Sequence, residues 1–251
     1  MDLKAFFEAH PRVAIAFSGG VDSTYLVTAA AQYAQSVHAY TIDSAFVPRF
    51  ELEGAKALTK KIGITHTLLP IDVLQNETVV QNPKDRCYFC KKAVFSTIWK
   101  AAKKDGYNLL LDGTNASDDA SDRPGMKALA ELDVLSPLRL CGLTKSLIRE
   151  RSRALGLPTW NKPSYACLAT RVPTGEPITA EKLLAVEQSE AFLFALGFTD
   201  LRVRLRDGGA LLQLPAAQHA AARARWPEIT AGLSEYFSTI RLDPKARAES
   251  E

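Results

Sequence analysis

The sequence Ser-Gly-Gly-Val-Asp-Ser at residues 18–23 constrains the fold of this chain more than any other stretch. It follows an apolar run at residues 12–17 and precedes an amphipathic helical pattern at residues 24–34, so we predict a strand, a glycine turn and a helix. Two glycines let a phosphate approach backbone N–H groups, and the start of a helix adds partial positive charge. We therefore expect phosphate contacts from Ser18, Gly19, Gly20, Asp22 and Ser23, with Asp22 orienting Mg²⁺ or a phosphate. An ordinary strand-to-helix turn is the alternative.

Composition narrows the class of protein. The chain has 251 residues, of which 47% are hydrophobic and 24% charged, values that are ordinary for a globular protein. A formal net charge of +3 argues against a broad nucleic-acid footprint. No apolar run is long enough to span a bilayer, and the acidic N-terminus does not resemble a signal peptide, so we expect a cytoplasmic protein without membrane contact. In that compartment the four cysteines favour metal binding or catalysis over disulfides.

The first part of the chain alternates strand and helix patterns. Strands are predicted at residues 37–42, 66–71 and 108–112, and helices at 51–62 and 88–103. This order predicts an α/β fold with a doubly wound parallel sheet. Because such sheets bind ligands at the carboxyl ends of their strands, Asp43, Ser44 and the Asp112-Gly113-Thr114 turn should lie near residues 18–23.

The last third of the chain has a different pattern. Four prolines fall within residues 157–178, which we interpret as an interdomain loop. A helix at 179–196, a hairpin of residues 201–205 and 210–214, a helix at 216–233 and a strand at 236–242 then predict a smaller α+β domain. The predicted domains are therefore residues 1–160, a loop at 161–178 that carries Cys167, and residues 179–251.

Cys87 and Cys90 form a Cys-x-x-Cys pair flanked by basic residues. This spacing is typical of metal ligands and also of redox dithiols, and a buried pair can have it by chance. The cations favour the thiolate form. Cys167 lies among Lys162, Ser164, Thr170 and Arg171, which suits a reactive thiolate, with a buried inert thiol as the alternative. Three or four thiolates would fit zinc or an iron–sulfur cluster.

Two further groups of charged side chains suggest ligand contacts. The segment after the fourth strand contains Asp118, Asp119 and Asp122, which suit Mg²⁺ and ribose or phosphate contacts unless the loop is merely solvated. Arg202 and Arg204 alternate along one face of a predicted strand and could hold a phosphate or carboxylate. A solvent-exposed sheet face would give the same alternation.

Taken together, several motifs resemble one family. Ser-Gly-Gly-x-Asp-Ser resembles the pyrophosphatase (PP) loop of the ATP pyrophosphatases. This loop and five later motifs occur in the order seen in LarE-type sulfur transferases. The later motifs are Arg-Cys-Tyr-Phe-Cys-Lys-Lys from Arg86, the Asp-Gly-Thr-Asn segment from Asp112, Gly-Leu-Thr-Lys from Gly142, Lys-Pro-Ser-Tyr-Ala-Cys-Leu-Ala-Thr-Arg from Lys162 and Leu-Arg-Val-Arg from Leu201. The likeness extends from about Phe7 to Leu242.

The resemblance implies an adenine nucleotide alpha-hydrolase-like fold and an activity. Such enzymes adenylate a carboxylate of pyridinium-3,5-biscarboxylic acid mononucleotide with ATP and Mg²⁺, and a sulfur nucleophile then displaces AMP to give a thiocarboxylate of the nickel-pincer nucleotide pathway. By this likeness Asp22 and Cys167 are catalytic, and a homo-oligomer, hexamer or trimer, is expected. The likeness also implies three sets of binding residues: ATP at Ser18, Gly19, Gly20, Asp22, Ser23 and Gly113; substrate at Arg171, Arg202 and Arg204; and metal at Cys87, Cys90 and Cys167.

The family has two sulfur sources. Some members sacrifice one cysteine and leave dehydroalanine, whereas others carry three cysteines that resemble ligands of a [4Fe-4S] cluster. Cys87, Cys90 and Cys167 favour the second kind, and Cys141 matches no ligand of the family and is expected to be a core thiol. A tRNA thiolation enzyme and a non-catalytic nucleotide-binding module are the rival functions. The modest net charge disfavours the first, and the complete phosphate loop disfavours the second.

Overall fold

The computed structural model describes residues 2–118 and 124–248. Contacts divide the chain into two compact units. The first unit comprises Met1–Val73 and Asp85–Lys162, and the second comprises Leu74–Lys84 and Pro163–Glu251. The second unit therefore takes the predicted interdomain loop from Pro163 onward, and also a short segment that the sequence pattern had assigned to the first domain.

The described residues contain both helices and strands, in the alternating order expected. The helices are α1 (Leu3–Ala9), α2 (Val21–Tyr33), α3 (Arg49–Ile62), α4 (Glu77–Val80), α5 (Arg86–Lys104), α6 (Pro124–Glu131), α7 (Pro137–Leu140), α8 (Lys145–Ala154), α9 (Ala180–Ala195), α10 (His219–Ala224) and α11 (Trp226–Leu233). The strands are β1 (Arg12–Ala16), β2 (Ser36–Asp43), β3 (Thr65–Pro70), β4 (Leu110–Leu111), β5 (Arg202–Arg206), β6 (Gly209–Gln213) and β7 (Ile240–Leu242). None of the helices in this part of the chain is long and apolar enough to cross a membrane.

The first unit contains a parallel sheet with strand order β3-β2-β1-β4. β1 pairs with β2 from Arg12↔Ser36 onward and with β4 through Ala14↔Leu110. The chain thus builds outward through β2 and β3 on one side of β1 and then returns to place β4 on the other side. The gap between the carboxyl ends of β1 and β4 is the switch point at which such sheets bind ligands.

Apolar clusters cover both faces of this sheet. Val13 and Ile15 of β1 pack in a cluster with residues of α1, α2, α3 and α8, whereas Ala14 packs in a second cluster with residues of α5 and α6. Because successive strand residues point to opposite faces, a strand covered on both sides must be apolar where it is covered, as β1 is from Val13 to Ala16. The prediction of a doubly wound α/β sheet is confirmed.

The second unit contains an antiparallel hairpin of β5 and β6, with β7 parallel to β6. Asp207 and Gly208 form its turn with φ angles of 51° and 74°, the left-handed conformation that two-residue hairpins require. The single helix predicted at 216–233 is wrong. α10 ends before α11, which has Pro227 in its first turn, where the missing N–H costs no hydrogen bond.

Candidate active site

The loop at residues 18–20 joins β1 to α2 as a tight glycine turn. Gly19 has φ of +71°, a conformation that side-chain-bearing residues rarely adopt. Ser18 and Ser23 close the turn, since their Oγ atoms are 3.1 Å apart and Ser18 N–H donates to Ser23 Oγ at 3.3 Å. Gly20 is the N-cap of α2 and supplies no side-chain cap. The N–H groups of the first turn of α2 are therefore left to a ligand, which suits an anion.

Gly113 allows the end of β4 to pass close to this loop. A Cβ atom on Gly113 would meet the backbone nitrogen of Ser23 at 3.0 Å and its Cα at 3.2 Å. Both are backbone atoms that would have to shift by a few tenths of an ångström, so the position favours glycine. The structure thus brings the predicted residues Ser18, Gly20, Ser23 and Gly113 together at the switch point of the sheet.

Asp22 is bound by a cation that the sequence analysis did not assign to the site. Lys145 Nζ donates to Asp22 Oδ2 at 2.6 Å, and Asn115 Nδ2 approaches Oδ1 at 3.4 Å. Both members of the ion pair are largely buried, with 24% and 21% of their side chains exposed. Lys145 begins α8 directly after the capping Thr144, so the Gly-Leu-Thr-Lys motif was the signal for it.

Lys162 is a second cation at the phosphate loop. Its Nζ donates to the carbonyl of Gly19 at 3.1 Å and to Glu51 Oε2 at 2.5 Å. The sequence analysis had grouped Lys162 with Cys167, because the two are close in the chain. The structure instead ties Lys162 to the glycine turn, more than 140 residues earlier in the sequence.

Asp112 lies buried where β4 ends and is held by neighbouring hydroxyls. Thr114 Oγ1 donates to its Oδ2 at 2.5 Å, and Ser136 Oγ donates to its Oδ1 at 2.6 Å. Asp118 accepts the N–H of Asn115 at 3.0 Å, which shapes the loop that follows. The other acidic residues proposed here for Mg²⁺ or ribose, Asp119 and Asp122, lie outside the described residues.

Residues of the glycine turn and of the end of β4 line one cavity of about 590 Å³ within the first unit, a size suited to a small-molecule ligand. Its wall is polar near the glycine turn, where it includes Ser18, Gly20, Asp22, Ser23, Asp112 and Thr114. Apolar side chains also line the cavity and include Phe17, Ile42, Val47, Phe95, Ile98 and Met126. An apolar chamber beside an anion-binding turn matches the two ends of a nucleotide, a flat base and a charged phosphate chain.

Cys87 and Cys90 lie in the first turns of α5. Cys87 is exposed and lines the cavity described above, whereas Cys90 is half-buried. The Arg86 guanidinium approaches Cys87 Sγ at 3.8 Å. Within residues 2–118 and 124–248, no three His, Cys, Asp or Glu side chains are grouped so that they could hold a metal ion. Cys87 and Cys90 belong to the first unit and Cys167 to the second.

Cys167 begins a short 3₁₀ turn at Leu168–Arg171 in the second unit and is half-buried. Its carbonyl accepts hydrogen bonds from Thr170 N and Thr170 Oγ1, at 3.0 and 2.8 Å, and from Arg171 Nη1 at 3.3 Å. These contacts fix the backbone of the turn. Cys141, in contrast, packs against the apolar core of the first unit, and burial raises the pKa of its thiol.

Arg171 lies fully inside the second unit. It makes a bidentate pair with Glu190 at 2.9 and 3.1 Å and also donates to the Ala166 carbonyl at 2.9 Å. Burial opposes its charge, yet the hydrogen bonds and charge of Glu190 raise the pKa of Arg171 above its ordinary value. The guanidinium has no exposed surface and bonds to internal partners, and the substrate contact expected of Arg171 stays a prediction. Glu190, an acid on the apolar stripe of α9 with Val186 and Leu193, was the signal for this pair.

Arg202 and Arg204 share one face of β5, as predicted, but that face is covered. Arg202 is buried and donates to the carbonyls of Leu201, at 2.6 Å, and Ser164. Arg204 is half-buried and donates to Gln213 Oε1 at 2.6 Å and to the Thr170 carbonyl at 2.7 Å. Burial and the charge of Arg171 lower the pKa of both, that of Arg202 to about 10. The surplus of positive charge around these side chains favours an anion nearby.

The sequence of this chain is similar to one described family and to several known proteins. The family described as asparagine synthase matches residues 4–116, which include the glycine turn and β4. The chain is 40% identical over 218 residues to an uncharacterized protein of Synechocystis, with 86% of this chain and 81% of the relative covered. It is 31% identical over 209 residues to the pyridinium-3,5-bisthiocarboxylic acid mononucleotide synthase of Lactiplantibacillus plantarum, covering 82% and 76%. An uncharacterized protein of Methanocaldococcus jannaschii is 30% identical over 206 residues, covering 82% and 77%.

Proposed function

Because this chain belongs to the LarE-type family of PP-loop proteins, we propose that it is an ATP-dependent sulfur transferase. Its substrate is pyridinium-3,5-biscarboxylic acid mononucleotide, and its product is the corresponding thiocarboxylate of the nickel-pincer nucleotide pathway. The observation that carries the proposal is the glycine turn at residues 18–20, which lines a cavity together with acidic and apolar side chains. The printed name of the Lactiplantibacillus relative supports the choice of substrate.

Activation by ATP follows from the chemistry of the substrate. A carboxylate is a poor electrophile, whereas an acyl adenylate has AMP as a good leaving group. Attack of the substrate carboxylate on the α-phosphorus of ATP forms the adenylate and releases pyrophosphate. The N–H groups of the first turn of α2 would hold the phosphates, and Lys145 and Lys162 would place positive charge beside them. The apolar walls at Ile42 and Val47 would receive the adenine.

Mg²⁺ fits the donor set of this cavity as an ion that arrives with the nucleotide. Mg²⁺ is commonly held by one or two carboxylates together with phosphate oxygens and water. Asp22 and Asp112 both line the cavity at its phosphate end and are the carboxylates that would hold it. When bound, Mg²⁺ offsets the charge that develops on the leaving pyrophosphate.

The second unit supplies the candidate anion contacts to the pyridinium nucleotide. Burial, and then the charges of neighbouring guanidiniums, lower the pKa values of Arg202 and Arg204, so a substrate phosphate or carboxylate would relieve the repulsion between these charges. Arg204 is the more exposed of the two and is the better candidate for direct contact. Arg171 would position the turn that carries Cys167, because its guanidinium donates to the Cys167 carbonyl.

The sulfur atom has two candidate sources within the proposed function. A [4Fe-4S] cluster on Cys87, Cys90 and Cys167 stays a prediction. Three thiolates suit such a cluster chemically, and Cys87 and Cys90 belong to the first unit and Cys167 to the second. Iron and acid-labile sulfide assays on anaerobically purified protein check that prediction. Sacrifice of Cys167 is the alternative, and whole-protein mass spectrometry would detect the loss of one H₂S after a single turnover.

A homo-oligomer, trimer or hexamer, is part of the proposal and is checked by sedimentation velocity.

Substrate-dependent release of pyrophosphate tests the proposed function. The wild-type protein is expected to release pyrophosphate from ATP when the pyridinium nucleotide is present, and not with unmodified tRNA in its place. Gly20→Val should abolish the release, since the added methyl groups occupy the space of a phosphate. Gly54→Ala is the matched control, because a Cβ on Gly54 meets nothing within 4 Å. Release with tRNA but not with the pyridinium nucleotide would contradict the proposal.

A further inference from the structure

We propose that Glu51 is a positioning residue of the nucleotide site, which holds the ammonium group of Lys162 in place for the phosphates of ATP. Glu51 acts through Lys162 and does not itself bind the nucleotide. This role rests on the proposed function for the reaction that the ammonium group serves. Its effect on ATP binding is measured without the pyridinium nucleotide.

Glu51 is a buried carboxylate in the wall of the cavity that the glycine turn lines. It lies in the first turn of α3, where the partial positive charge at the start of a helix favours a negative side chain. Its side chain is 10% exposed, and Lys162 Nζ lies 2.5 Å from its Oε2. Because a charge inside a protein needs a partner, the ion pair with Lys162 explains how a carboxylate is kept at this position.

The helix that carries Glu51 also packs against the glycine turn. A Cβ atom on Gly19 would meet the Cα and Cβ atoms of Ala55 at 3.4 Å, so Ala55 lies directly against the turn. Ala55 follows Glu51 by four residues, which places both on one face of α3. The packing of α3 therefore fixes the carboxylate relative to the turn.

The backbone of Lys162 is held separately from its side chain. Arg149 donates to the carbonyl of Trp160 at 2.8 Å and to that of Lys162 at 3.1 Å. Lys162 N–H donates to the carbonyl of Thr159 at 3.0 Å. Both members of the ion pair thus extend from an anchored backbone, so the ammonium group has a defined place beside the turn.

The ammonium group keeps one donor for a ligand. A protonated lysine has three N–H donors. Within the part of the chain that the structure describes, two of them have acceptors, Glu51 Oε2 and the Gly19 carbonyl. The third donor can reach a phosphate oxygen without the loss of either contact.

The charges of the pair predict separate effects on binding and on rate. The pair is neutral as a whole, and the Glu51 carboxylate repels the phosphates of ATP, so Glu51 does not strengthen ATP binding. A cation that is held in place beforehand needs no reorganisation when charge develops on the leaving pyrophosphate. Glu51 should therefore increase kcat for pyrophosphate release and leave the affinity for ATP nearly unchanged.

A double-mutant cycle on ATP binding tests whether Glu51 acts through Lys162. Isothermal titration calorimetry with ATP and Mg²⁺ compares the wild type, Glu51→Gln, Lys162→Met and the double variant, and the number of sites per chain reports the folded fraction. Lys162→Met leaves the carboxylate to repel the phosphates, so we expect binding to weaken by about tenfold. Adding Glu51→Gln to Lys162→Met should strengthen binding by about threefold, whereas Glu51→Gln alone should change it by less than about twofold.

The rate of pyrophosphate release separates positioning from folding. Glu51→Gln keeps a side chain of the same size that still accepts a hydrogen bond, and it should lower kcat by about tenfold with the KM for ATP nearly unchanged. In the Lys162→Met background the same substitution should not slow release further, since no ammonium group is left to position. Glu53→Gln is the matched control, because Glu53 pairs with Lys56 on the same helix but 69% of its side chain is exposed.

Failure of this role and failure of the proposed function give different results. If the wild-type protein releases no pyrophosphate with the pyridinium nucleotide, the proposed function fails, and the calorimetric cycle still decides whether Glu51 acts through Lys162. If Glu51→Gln changes the affinity for ATP by the same factor with and without Lys162, the positioning role is overturned. Weaker ATP binding by Glu51→Gln that a higher Mg²⁺ concentration restores also overturns it, because Glu51 would then be a ligand of the metal.

Discussion

Asp22 and Lys145 are distant in sequence but form one ion pair at the glycine turn. In the described structure the carboxylate is neutralised by Lys145 Nζ at 2.6 Å. On the proposed function, Asp22 would help to hold Mg²⁺ and Lys145 would be released to contact a phosphate oxygen of the nucleotide. An ion pair of this kind keeps a partly buried carboxylate from being left without a counter-charge. Lys145 is therefore expected to act on nucleotide binding.

Lys145→Met tests this expectation. The substitution keeps an unbranched side chain but removes the charge, so we expect ATP binding to weaken by about tenfold, the equivalent of about 1.4 kcal/mol. Isothermal titration calorimetry with ATP and Mg²⁺ provides the measurement. Lys127→Met is the control, because 73% of the Lys127 side chain is exposed. Equal affinity in the Lys145→Met and Lys127→Met proteins would show that Lys145 does not contribute to the nucleotide site.

Glu190 supplies the negative charge that balances the buried guanidinium of Arg171 in the second unit. It pairs with Arg171, accepts the N–H of Val203 at 2.8 Å and accepts the hydroxyl of Tyr165. Burial, followed by the charge of Glu190, raises the pKa of Tyr165, so its hydroxyl remains a donor. Glu190→Gln leaves the Arg171 guanidinium buried without an opposite charge, and we expect the free energy of unfolding to fall by about 3 kcal/mol.

Chemical denaturation measures this loss. Glu228→Gln is the matched control, since Glu228 pairs with Arg225 at 2.8 Å but half of its side chain is exposed. That substitution should leave the midpoint of unfolding unchanged within error. Similar midpoints for Glu190→Gln and Glu228→Gln would mean that the buried pair does not stabilise the second unit.

At the scale of elements, local sequence patterns predicted the helices and strands of the first unit, but they did not predict the long-range contacts between them. The apolar runs of β1 and β2 and the helical period of α3 and α5 are local signals, so these elements could be placed from sequence. The pairing of Lys145 with Asp22 spans 123 residues, and no local pattern encodes it. The helix predicted at 216–233 failed because the first-turn position of Pro227 starts α11 separately. Arg202 and Arg204 share a face as alternation requires, but the sequence could not show that a turn covers it.

The pairing of β2 with β3 includes two cross-strand histidine bonds that should respond to pH. His38 Nε2 is 2.8 Å from Thr67 Oγ1, and His66 Nε2 is 2.9 Å from Thr41 Oγ1. Burial lowers the pKa of His38, against an opposing effect of Asp105, and burial together with the charges of His38 and Lys56 lowers that of His66. A lowered pKa in the folded state means that the unfolded chain takes up protons first as pH falls.

Stability should therefore decline as pH falls below about 6.5, the ordinary histidine pKa, and through the lowered pKa values of the folded state. Urea denaturation at a series of pH values from neutral to mildly acidic gives the slope. A chain with both His38→Gln and His66→Gln should show a shallower slope over this window. An unchanged slope in the double variant would assign the acid sensitivity to other groups.

At the scale of the whole molecule, the second unit is discontinuous in sequence. Leu74–Lys84 belongs to it although residues on both sides belong to the first unit. Asn82 makes this connection with its side chain, which donates to the Pro173 carbonyl at 2.7 Å, and with its own carbonyl, which accepts Gly175 N–H at 2.8 Å. Its φ of 54° is left-handed, a conformation that asparagine tolerates better than most residues. Residues 74–84 have no helical or strand periodicity that would assign them to the second unit, so the predicted domain limits omitted this connection.

Asn82→Ala should loosen the second unit selectively. The substitution removes a buried side-chain hydrogen bond and places alanine in a left-handed conformation, so we expect a loss of about 2–3 kcal/mol of stability. Hydrogen–deuterium exchange followed by mass spectrometry should then show faster exchange in β5 and β6, with exchange in β1 and β2 unchanged. Asn108→Ala, at an exposed position of the first unit, is the control and should leave both sheets protected. Equal acceleration in both sheets would show instead that the two units unfold as one cooperative body.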